Sequence, residues 1–350
     1  MIQVLFICNP AVYPPEGSET PELYQAISQS MGARGIRLFH ADPTWIQDAG
    51  SSLQVTEVAQ DLNYEGFLAL SNGPEGSRDL RDFDVAFCRT LKPFPEGHMQ
   101  RLLQLEQHVP FVNSPAGVIE HLDPRYLSRI ASGLTPPMIV TRDVDEALAF
   151  FRDHGRIVCK QSASCGGKGV LSVWHDSGRV WTNHAKEGTT EYSNAQDAFR
   201  AVFSRDEGEF QLVRFLKNIG RGDKRVLVID GEIVGAYLRR STGGGWVHNV
   251  AMGAGFEPTN VGNDELRIIN ETSHHYTRLG VRTLGYDFLV GDDGRWILSE
   301  INAGNIAGYQ LAMKVGYPNA LEELIERCLL NLRHNDSSKP PTSSWIHQSQ

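Results

Sequence analysis

Cysteine is scarce in this sequence: there are five among 350 residues, scattered along the chain without a CxxC pair. An odd, dispersed set of this kind disfavours a disulfide scaffold and a zinc site, and it indicates reduced thiols in a cytoplasmic protein. Basic residues are also fewer than acidic ones, so the formal net charge is −9. A nonspecific nucleic-acid binder needs a basic surface to neutralise phosphates, so that class is disfavoured as well.

Long apolar runs are missing too, since none approaches the roughly 20 residues that a membrane-spanning helix requires. The apolar residues 2–8 lead directly into Asn9-Pro10 without a basic leader, so they predict a first strand and no targeting segment. The composition, 41% hydrophobic and 21% charged, is that of an ordinary globular protein. At 350 residues we expect two or three packed α/β modules, with neither membrane nor nucleic acid as a partner.

The first third of the chain predicts a βαβ-like module with a mostly parallel sheet. Its strands are expected at residues 2–8, 84–88 and 109–113, and its helices at residues 21–33 and 99–107. Residues 42–81 are ambiguous, and a helix around residues 55–62 is one interpretation of them. We place the end of this module at residue 120, so that it spans residues 1–120.

The remainder predicts an α+β arrangement in which hairpins alternate with helices. Turn sequences at Asp230-Gly231 and Asp292-Asp293-Gly294 indicate two hairpins, and a helix is expected between them over residues 264–279. Three further segments complete the predicted organisation: a central module with a glycine-rich loop at 121–205, a C-terminal module at 206–334, and a polar, disordered tail at 335–350.

A lysine followed by a small-residue loop is the first candidate site. Lys160 lies on a predicted strand at residues 156–161 and precedes Ser164-Cys165-Gly166-Gly167-Lys168-Gly169. Backbone N–H groups in such a loop can approach an anion closely, as phosphates require. The loop lacks the Ser or Thr that ends a P-loop, and a flexible hairpin tip would have a similar sequence. A nucleophilic role for Cys165 is disfavoured, because the sequence indicates no partner histidine.

An acidic hairpin is the second candidate site. Asp287 lies on one predicted strand, and Glu300 and Asn302 lie at the end of its partner. Alternation along a strand puts Glu300 and Asn302 on one face. Two carboxylates and an amide oxygen form a hard donor set suited to a magnesium ion that bridges nucleotide phosphates. The alternative is an exposed polar strand end without a metal.

Arginines on a third hairpin form the last candidate site. Asp223, Lys224 and Arg225 enter one predicted strand, and Arg239-Arg240 end the strand that returns beside it. Fixed positive charge of this kind can hold phosphoryl oxygens in a transition state. A solvated charge cluster around a hairpin is the alternative interpretation.

Taken in order, these segments resemble bacterial glutathione synthetase and the wider ATP-grasp superfamily over nearly the whole chain. Asn113-Ser114-Pro115 is similar to the end of the family's first domain, and Leu134-Thr135-Pro136 to its linker. Residues 160–170 are similar to its lysine strand and glycine-rich loop, and residues 222–232 closely match its phosphate-arginine hairpin. The resemblance implies the ATP-grasp fold, a combination of α/β and α+β parts with an N-terminal βαβ (pre-ATP-grasp) domain.

The resemblance also implies roles for single residues. Nucleotide binding would fall to Arg125, Lys160, Gly166 and Gly167 at the phosphates, the backbone of Arg214, Phe215 and Leu216 at the adenine, and Asp223 at the ribose. Asp287, Glu300 and Asn302 would bind Mg²⁺ or Mn²⁺, and Arg225 and Arg240 would steady an acyl phosphate. Arg125 stands where the family has lysine, which keeps the charge but changes its shape.

Two departures from the family's pattern fall where substrates are selected. Residues 245–249 read Gly-Trp-Val-His-Asn without the family's Thr-Arg pair, and residues 303–308 read Ala-Gly-Asn-Ile-Ala-Gly where a Ser-Pro-Thr segment is usual. The implied activity is an ATP-dependent, ADP-forming ligase that joins a small-molecule carboxylate to an amine. Two alternatives stay open, a different peptide, protein or natural-product precursor as substrate, and a nucleotide-binding module without turnover. The sequence leaves a homo-oligomer open as well.

Overall fold

The computed structural model describes residues 1–15, 18–46, 50–161, 169–184, 187–241 and 254–331. Three predicted features lie outside these residues: the glycine-rich loop with Gly166 and Gly167, the segment 245–249, and the tail at 335–350. Three sheets of five, six and five strands form the frame of the described chain. None of the described helices has both the length and the apolar character needed to cross a bilayer.

The strands are β1 (Ile2–Ile7), β2 (Ile36–Ala41), β3 (Ser52–Glu57), β4 (Gly76–Asp79), β5 (Val85–Cys88), β6 (Met138–Thr141), β7 (Arg156–Gln161), β8 (Val170–Asp176), β9 (Arg179–His184), β10 (Gly188–Tyr192), β11 (Phe210–Arg214), β12 (Asp223–Ile229), β13 (Glu232–Arg240), β14 (Gly255–Glu257), β15 (Thr283–Val290) and β16 (Trp296–Ala303). The α-helices are α1 (Glu19–Arg34), α2 (Tyr64–Ala69), α3 (His98–Glu106), α4 (Pro115–Leu122), α5 (Tyr126–Ile130), α6 (Val144–His154), α7 (Ala195–Phe203), α8 (Asn263–Arg278), α9 (Tyr309–Lys314) and α10 (Ala320–Ile325). A π-helical turn, Glu326–Leu330, continues α10.

The N-terminal sheet has the order β4-β3-β2-β1-β5, with β1 parallel to both β2 and β5. The predicted strand at residues 109–113 forms two isolated bridges instead, Phe111 with Ala86 and Asn113 with Val281. The predicted helix around residues 55–62 is wrong, because Val55 lies in β3. Leu53 and Val55 alternate with exposed residues there, so the segment buries one face of a strand.

The central sheet has the order β10-β9-β8-β7-β11-β6. Strand β11 pairs with β7 and β6, so this sheet continues to Arg214, beyond the predicted module boundary at residue 205. Helices α6 and α7 cover it, and their buried Phe151 and Phe199 pack into its core. The end of β7, which carries Lys160, borders the gap at 162–168 that holds the glycine loop of the sequence.

The C-terminal sheet has the order β14-β13-β12-β15-β16, and all its pairings are antiparallel. Both predicted hairpins are confirmed. Asp230 and Gly231 link β12 to β13 with φ angles of 51° and 84°, as a tight two-residue hairpin turn requires. Helix α8 packs its buried Ile268 and Ile269 against one face, which leaves the other face for the polar residues of the candidate site.

A buried ion pair joins α8 to this sheet. The ammonium of Lys224 pairs with the carboxylate of Glu265, donates to the carbonyl of Asn260 at 2.9 Å, and lies 4.0 Å from the centre of the Trp296 ring. Both charged side chains are at most 3% exposed. Replacing either partner would therefore leave an isolated buried charge.

We expect Glu265→Gln to lower the free energy of unfolding by about 3 kcal/mol, because the Lys224 ammonium would lose its counter-charge. Urea denaturation measures the difference. Glu271→Gln on the same helix is the matched control, since Glu271 is exposed and pairs with Arg267. Equal stability of the two variants would contradict this assignment.

Candidate active site

A row of polar side chains crosses the C-terminal sheet on the face opposite α8. Arg225 of β12 lies directly opposite Tyr237 of β13 on one side and Asp287 of β15 on the other. Glu300 of β16 lies opposite Asp287. Directly opposed residues in a sheet project to the same face, so strand pairing places an arginine and two carboxylates side by side.

Four hydrogen bonds occupy the carboxylate of Asp287. Its Oδ1 accepts from Arg225 Nε at 2.5 Å and from Arg239 Nη2 at 2.8 Å. Its Oδ2 accepts from Arg225 Nη2 at 3.0 Å and from Asn302 Nδ2 at 3.1 Å. Burial opposes ionisation of Asp287, but the two guanidinium groups outweigh it and lower the pKa of the carboxyl group. Asp287 is therefore an ionised anchor for both arginines.

Asp223 forms a second anchor for Arg239. Arg239 Nη2 donates to Asp223 Oδ2 at 2.6 Å, and the Arg239 side chain is only 5% exposed. Burial raises the pKa of Asp223 to about 7, although the charge of Arg239 opposes the shift. Asp223 Oδ1 and Arg239 Nε are buried without a hydrogen-bond partner among the described residues. The predicted ribose ligand thus binds an arginine in this structure.

Gly285 allows the close approach of Arg225 to β15. A Cβ atom at this position would lie 2.8 Å from Arg225 Nη1, which is shorter than real contacts of this kind. The absence of a side chain lets the guanidinium of Arg225 lie against the strand and reach Asp287. Strand pairing and a glycine together fix the orientation of the arginine before any ligand binds.

Two oxygen donors beside this cluster suit a divalent cation. Glu300 is exposed, and its carboxylate makes none of the hydrogen bonds or ion pairs found among the described residues. Asn302 Nδ2 donates to the carbonyl of Gly285 at 3.2 Å and to Asp287, which leaves the amide oxygen as a donor for a metal. The described chain holds no group of three or more His, Cys, Asp or Glu side chains that could hold a metal ion. Glu300 and Asn302 supply two oxygen donors, and Mg²⁺ characteristically takes its other ligands from phosphates and water, so these two residues could hold the ion together with a nucleotide.

Lys160 links the central sheet to this cluster. Its Nζ donates to the carbonyl of Ser299, the residue before Glu300, at 3.4 Å. The end of β7 therefore lies beside the middle of β16, next to Glu300. The structure brings together Lys160, Asp223, Arg225, Asp287, Glu300 and Asn302, all predicted from the sequence.

The linker between the two sheets is tied to the β15–β16 turn. Arg214 Nη1 donates to Asp292 Oδ2 at 2.6 Å, and Lys217 N donates to Asp292 Oδ1 at 2.9 Å. The backbone N–H groups of Arg214 and Phe215 already donate to the carbonyls of Pro137 and Arg156. Backbone contacts from these two residues to an adenine, as predicted along with Leu216, would therefore have to use their carbonyl oxygens.

Two predicted arginines lie outside the cluster. Arg240 pairs with Glu257 of β14 at 3.3 Å, and its side chain is 55% exposed. It follows Arg239 on β13, so alternation turns it to the other face. Arg125 binds the carboxylate of Glu209 and is 48% exposed. The structure therefore puts Arg239 in the position that the sequence analysis gave to Arg240.

A contact between the first and last parts of the chain was missed by sequence reasoning. Arg89, which directly follows β5 and is fully buried, donates from Nη1 to the carbonyl of Ile306 at 2.7 Å. Asn305 Nδ2 donates to the carbonyl of Arg89 at 2.7 Å and to Tyr13 Oη at 3.1 Å. More than 200 residues separate these partners, so no local pattern could reveal the contact. It fixes the segment that follows Asn302.

A small cavity of about 30 Å³ lies beside this contact. Most of its lining is apolar, from side chains that include Cys88, Phe94, Met99 and Val118. Gly304 and Asn305 close it on the side of the C-terminal sheet. The cavity therefore borders the segment in which the chain departs from the family's usual sequence.

Comparison with known proteins agrees with this geometry. The family model for the prokaryotic glutathione synthetase ATP-grasp domain matches residues 127–310. The glutathione synthetase of Prochlorococcus marinus (strain MIT 9313) is 27% identical over 94% of this chain and 99% of its own length. That of Agrobacterium fabrum is 28% identical over 83% of this chain and 86% of its own length.

Solved structures support the same fold. A D-cycloserine synthetase superposes with a TM-score of 0.61 at 17% identity, covering 93% of this chain and 99% of that one. A RiPP-associated ATP-grasp ligase from Chryseobacterium gregarium superposes with a TM-score of 0.60 at 13% identity, covering 93% and 96%. Because the family model spans more than half of the sequence, the chain belongs to the prokaryotic glutathione synthetase family of ATP-grasp proteins, and it is an ADP-forming carbon–nitrogen ligase that uses ATP with Mg²⁺ or Mn²⁺.

Proposed function

We propose that the polar face of the C-terminal sheet is the site at which a substrate carboxylate takes the γ-phosphate of ATP. The observation that carries this proposal is the convergence of Lys160, Arg225 and Glu300 from two sheets beside Asn302. An amine would then attack the acyl phosphate, form the amide and release phosphate. Stabilisation of the phosphoryl charge by fixed cations is the main catalytic contribution we assign to the protein.

Each residue of the site has a distinct task in this proposal. Glu300 and Asn302 hold the divalent cation, whose charge screens the phosphates when it is bound. Arg225 presents its guanidinium to the transferring phosphoryl group, and Asp287 keeps that guanidinium oriented and charged. Because the ion pair is already formed, the arginine needs little reorganisation at the moment of reaction.

Lys160 supplies a further cation to the nucleotide phosphates in this scheme. We expect Lys160→Ala to weaken ADP binding by about tenfold, because one charge-assisted hydrogen bond is lost. Isothermal titration with Mg-ADP measures the change. The control is Arg152→Ala, which removes an exposed cation from α6, one of the helices that cover the central sheet. Unchanged ADP affinity of the lysine variant would exclude a phosphate contact.

The substrates are proposed to differ from γ-glutamylcysteine and glycine. The segment 245–249 offers no Thr-Arg pair, so an anionic dipeptide loses a charge-assisted contact worth about 1.5 to 3 kcal/mol, or tenfold to a hundredfold in affinity. Near the other departure, the cavity is mostly apolar and small. Both features favour a substrate with a small, uncharged group.

Release of ADP over a set of amino acids, dipeptides and peptides tests this choice. We expect γ-glutamylcysteine with glycine to give a lower kcat/KM than another carboxylate and amine pair. A kcat/KM near 10⁵ M⁻¹s⁻¹ or above for γ-glutamylcysteine, within the usual enzyme range, would instead identify a glutathione synthetase. Activity only with a longer peptide would favour the peptide-precursor alternative.

The setting of the reaction is part of the same proposal. The described cysteines, Cys8, Cys88, Cys159 and Cys328, are all free thiols, which supports a reducing compartment such as the cytoplasm.

We keep the division into an N-terminal, a central and a C-terminal module, with the second boundary moved from residue 205 to residue 214 because of β11. A homo-oligomer stays open.

A further inference from the structure

We propose that Arg239 serves as an internal cation that holds Asp223 and Asp287 together in place of a second divalent metal. One nitrogen, Arg239 Nη2, donates to Asp223 Oδ2 at 2.6 Å and to Asp287 Oδ1 at 2.8 Å. A single donor nitrogen of a cationic group thus bridges two carboxyl groups, which is the arrangement in which a divalent ion is often found. The sequence placed Arg239 beside Arg240 in the candidate arginine site, but the family resemblance gave a role at the acyl phosphate to Arg240 and none to Arg239.

The hydrogen bonding of the two carboxylates leaves a metal little access. All four bonds to Asp287 come from Arg225, Arg239 and Asn302, and a carboxylate has about four lone-pair sites. A cation bound to Asp287 would have to displace one of these donors. Glu300, in contrast, is exposed and keeps its oxygens available.

Charge balance supports the same conclusion. Within the buried cluster, the guanidinium groups of Arg225 and Arg239 already face the carboxyl groups of Asp223 and Asp287. A divalent ion placed between the carboxylates would add two positive charges beside two guanidinium groups that cannot lose their protons. The chain should therefore bind one divalent ion, at Glu300 and Asn302. This assignment rests on the proposed function for the role of those two ligands.

Arg239 differs from its neighbour Arg240 in burial. Arg239 is 5% exposed, whereas the Arg240 side chain is 55% exposed and pairs with Glu257. The two adjacent arginines therefore provide a matched pair of substitutions. Removing the charge of Arg239 exposes the carboxylate pair to metal, and removing that of Arg240 leaves the pair unchanged.

Counting bound Mn²⁺ tests the inference without an activity assay. Free Mn²⁺ is followed by electron paramagnetic resonance during titration of the full chain, with and without ADP. We expect one tight Mn²⁺ per wild-type chain with ADP, none for Glu300→Gln, one for Arg240→Met, and two for Arg239→Met. Two tight ions on the wild-type chain, or one on a folded Arg239→Met variant, would overturn the inference. No Mn²⁺ on the wild-type chain with ADP bound would instead contradict the proposed function.

Thermal unfolding tests the same inference even if the Arg239→Met substitution weakens folding. Arg239→Met leaves the buried Asp223 without its cationic partner and Asp287 with Arg225 alone, so we expect its Tm to fall in chelator and to recover most of the loss when Mn²⁺ is added. Asp223→Asn combined with Arg239→Met removes one of the carboxylates, and its Tm should respond less to Mn²⁺. A purely structural arginine would give an Arg239→Met variant whose Tm falls equally with and without Mn²⁺, and that result would refute the role as a substitute for metal.

Discussion

Glu300→Gln should reduce turnover to below about a thousandth of the wild-type rate and leave the fold intact, because a neutral amide replaces an exposed carboxylate beside the phosphoryl site. Its side chain has no hydrogen bond or ion pair to lose among the described residues, so stability should change by less than about 0.5 kcal/mol. ADP release measures the rate, and urea denaturation measures the stability.

Glu257→Gln is the matched control for this substitution. Glu257 lies on the edge strand β14 of the same sheet and pairs with Arg240 at the surface. We expect it to retain nearly full turnover. Activity of Glu300→Gln above about a tenth of the wild-type value, or wild-type activity in excess chelator, would show that Glu300 does not hold a required metal.

Arg225→Met should impair both stability and turnover. The substitution leaves Asp287 with Arg239 as its only cationic partner in a buried position, and loss of one partner of a buried ion pair costs about 3 to 5 kcal/mol. Turnover should fall by about a hundredfold to a thousandfold, because a fixed donor to the phosphoryl oxygens is lost. Both values come from one preparation, by urea denaturation and by ADP release.

Arg225→Lys separates the two effects. Lysine keeps a positive charge beside Asp287, so most of the stability should return, but it cannot donate two parallel hydrogen bonds. Turnover should therefore stay well below the wild-type rate. Full recovery of turnover by the lysine variant would mean that the charge alone matters, and that the geometry set by Asp287 has no catalytic role.

The sequence predicted the acidic hairpin because short-range patterns determine it. Turn residues at 230–231 and 292–294 fix the two hairpins, and alternation puts Glu300 and Asn302 on one face. When the two hairpins pair through β12 and β15 in the observed register, Arg225 lies opposite Asp287. These steps need only neighbouring residues and one strand pairing.

The choice between Arg239 and Arg240 required information that the sequence does not contain. Alternation states that the two face opposite sides, but which of them faces the site depends on the register of β13 against β12. The structure sets Arg239 opposite Asp223, so Arg239 is the buried one. A one-residue change of register would have reversed the assignment.

Long-range contacts were the other source of error. The segment 303–308 was recognised as unusual, but its contact with Arg89 spans more than 200 residues and depends on how the N-terminal sheet packs. The same holds for β3, which pairs with β2 and β4 although the segment 55–62 has a sequence that suits a helix. In both cases the interaction that determines the structure joins residues that are far apart in the sequence.

The transfer of ¹⁸O from a substrate carboxylate to phosphate tests the central claim most directly. The carboxylate that gives the fastest ADP release is labelled with ¹⁸O at both oxygens, and the products are analysed by ³¹P NMR and mass spectrometry. A ligase that acts through an acyl phosphate must leave one ¹⁸O in each released phosphate, one in the amide, and none in the nucleotide. Label in AMP, or unlabelled phosphate with ADP released at the same rate without the amine, would contradict the ligase mechanism proposed for this site.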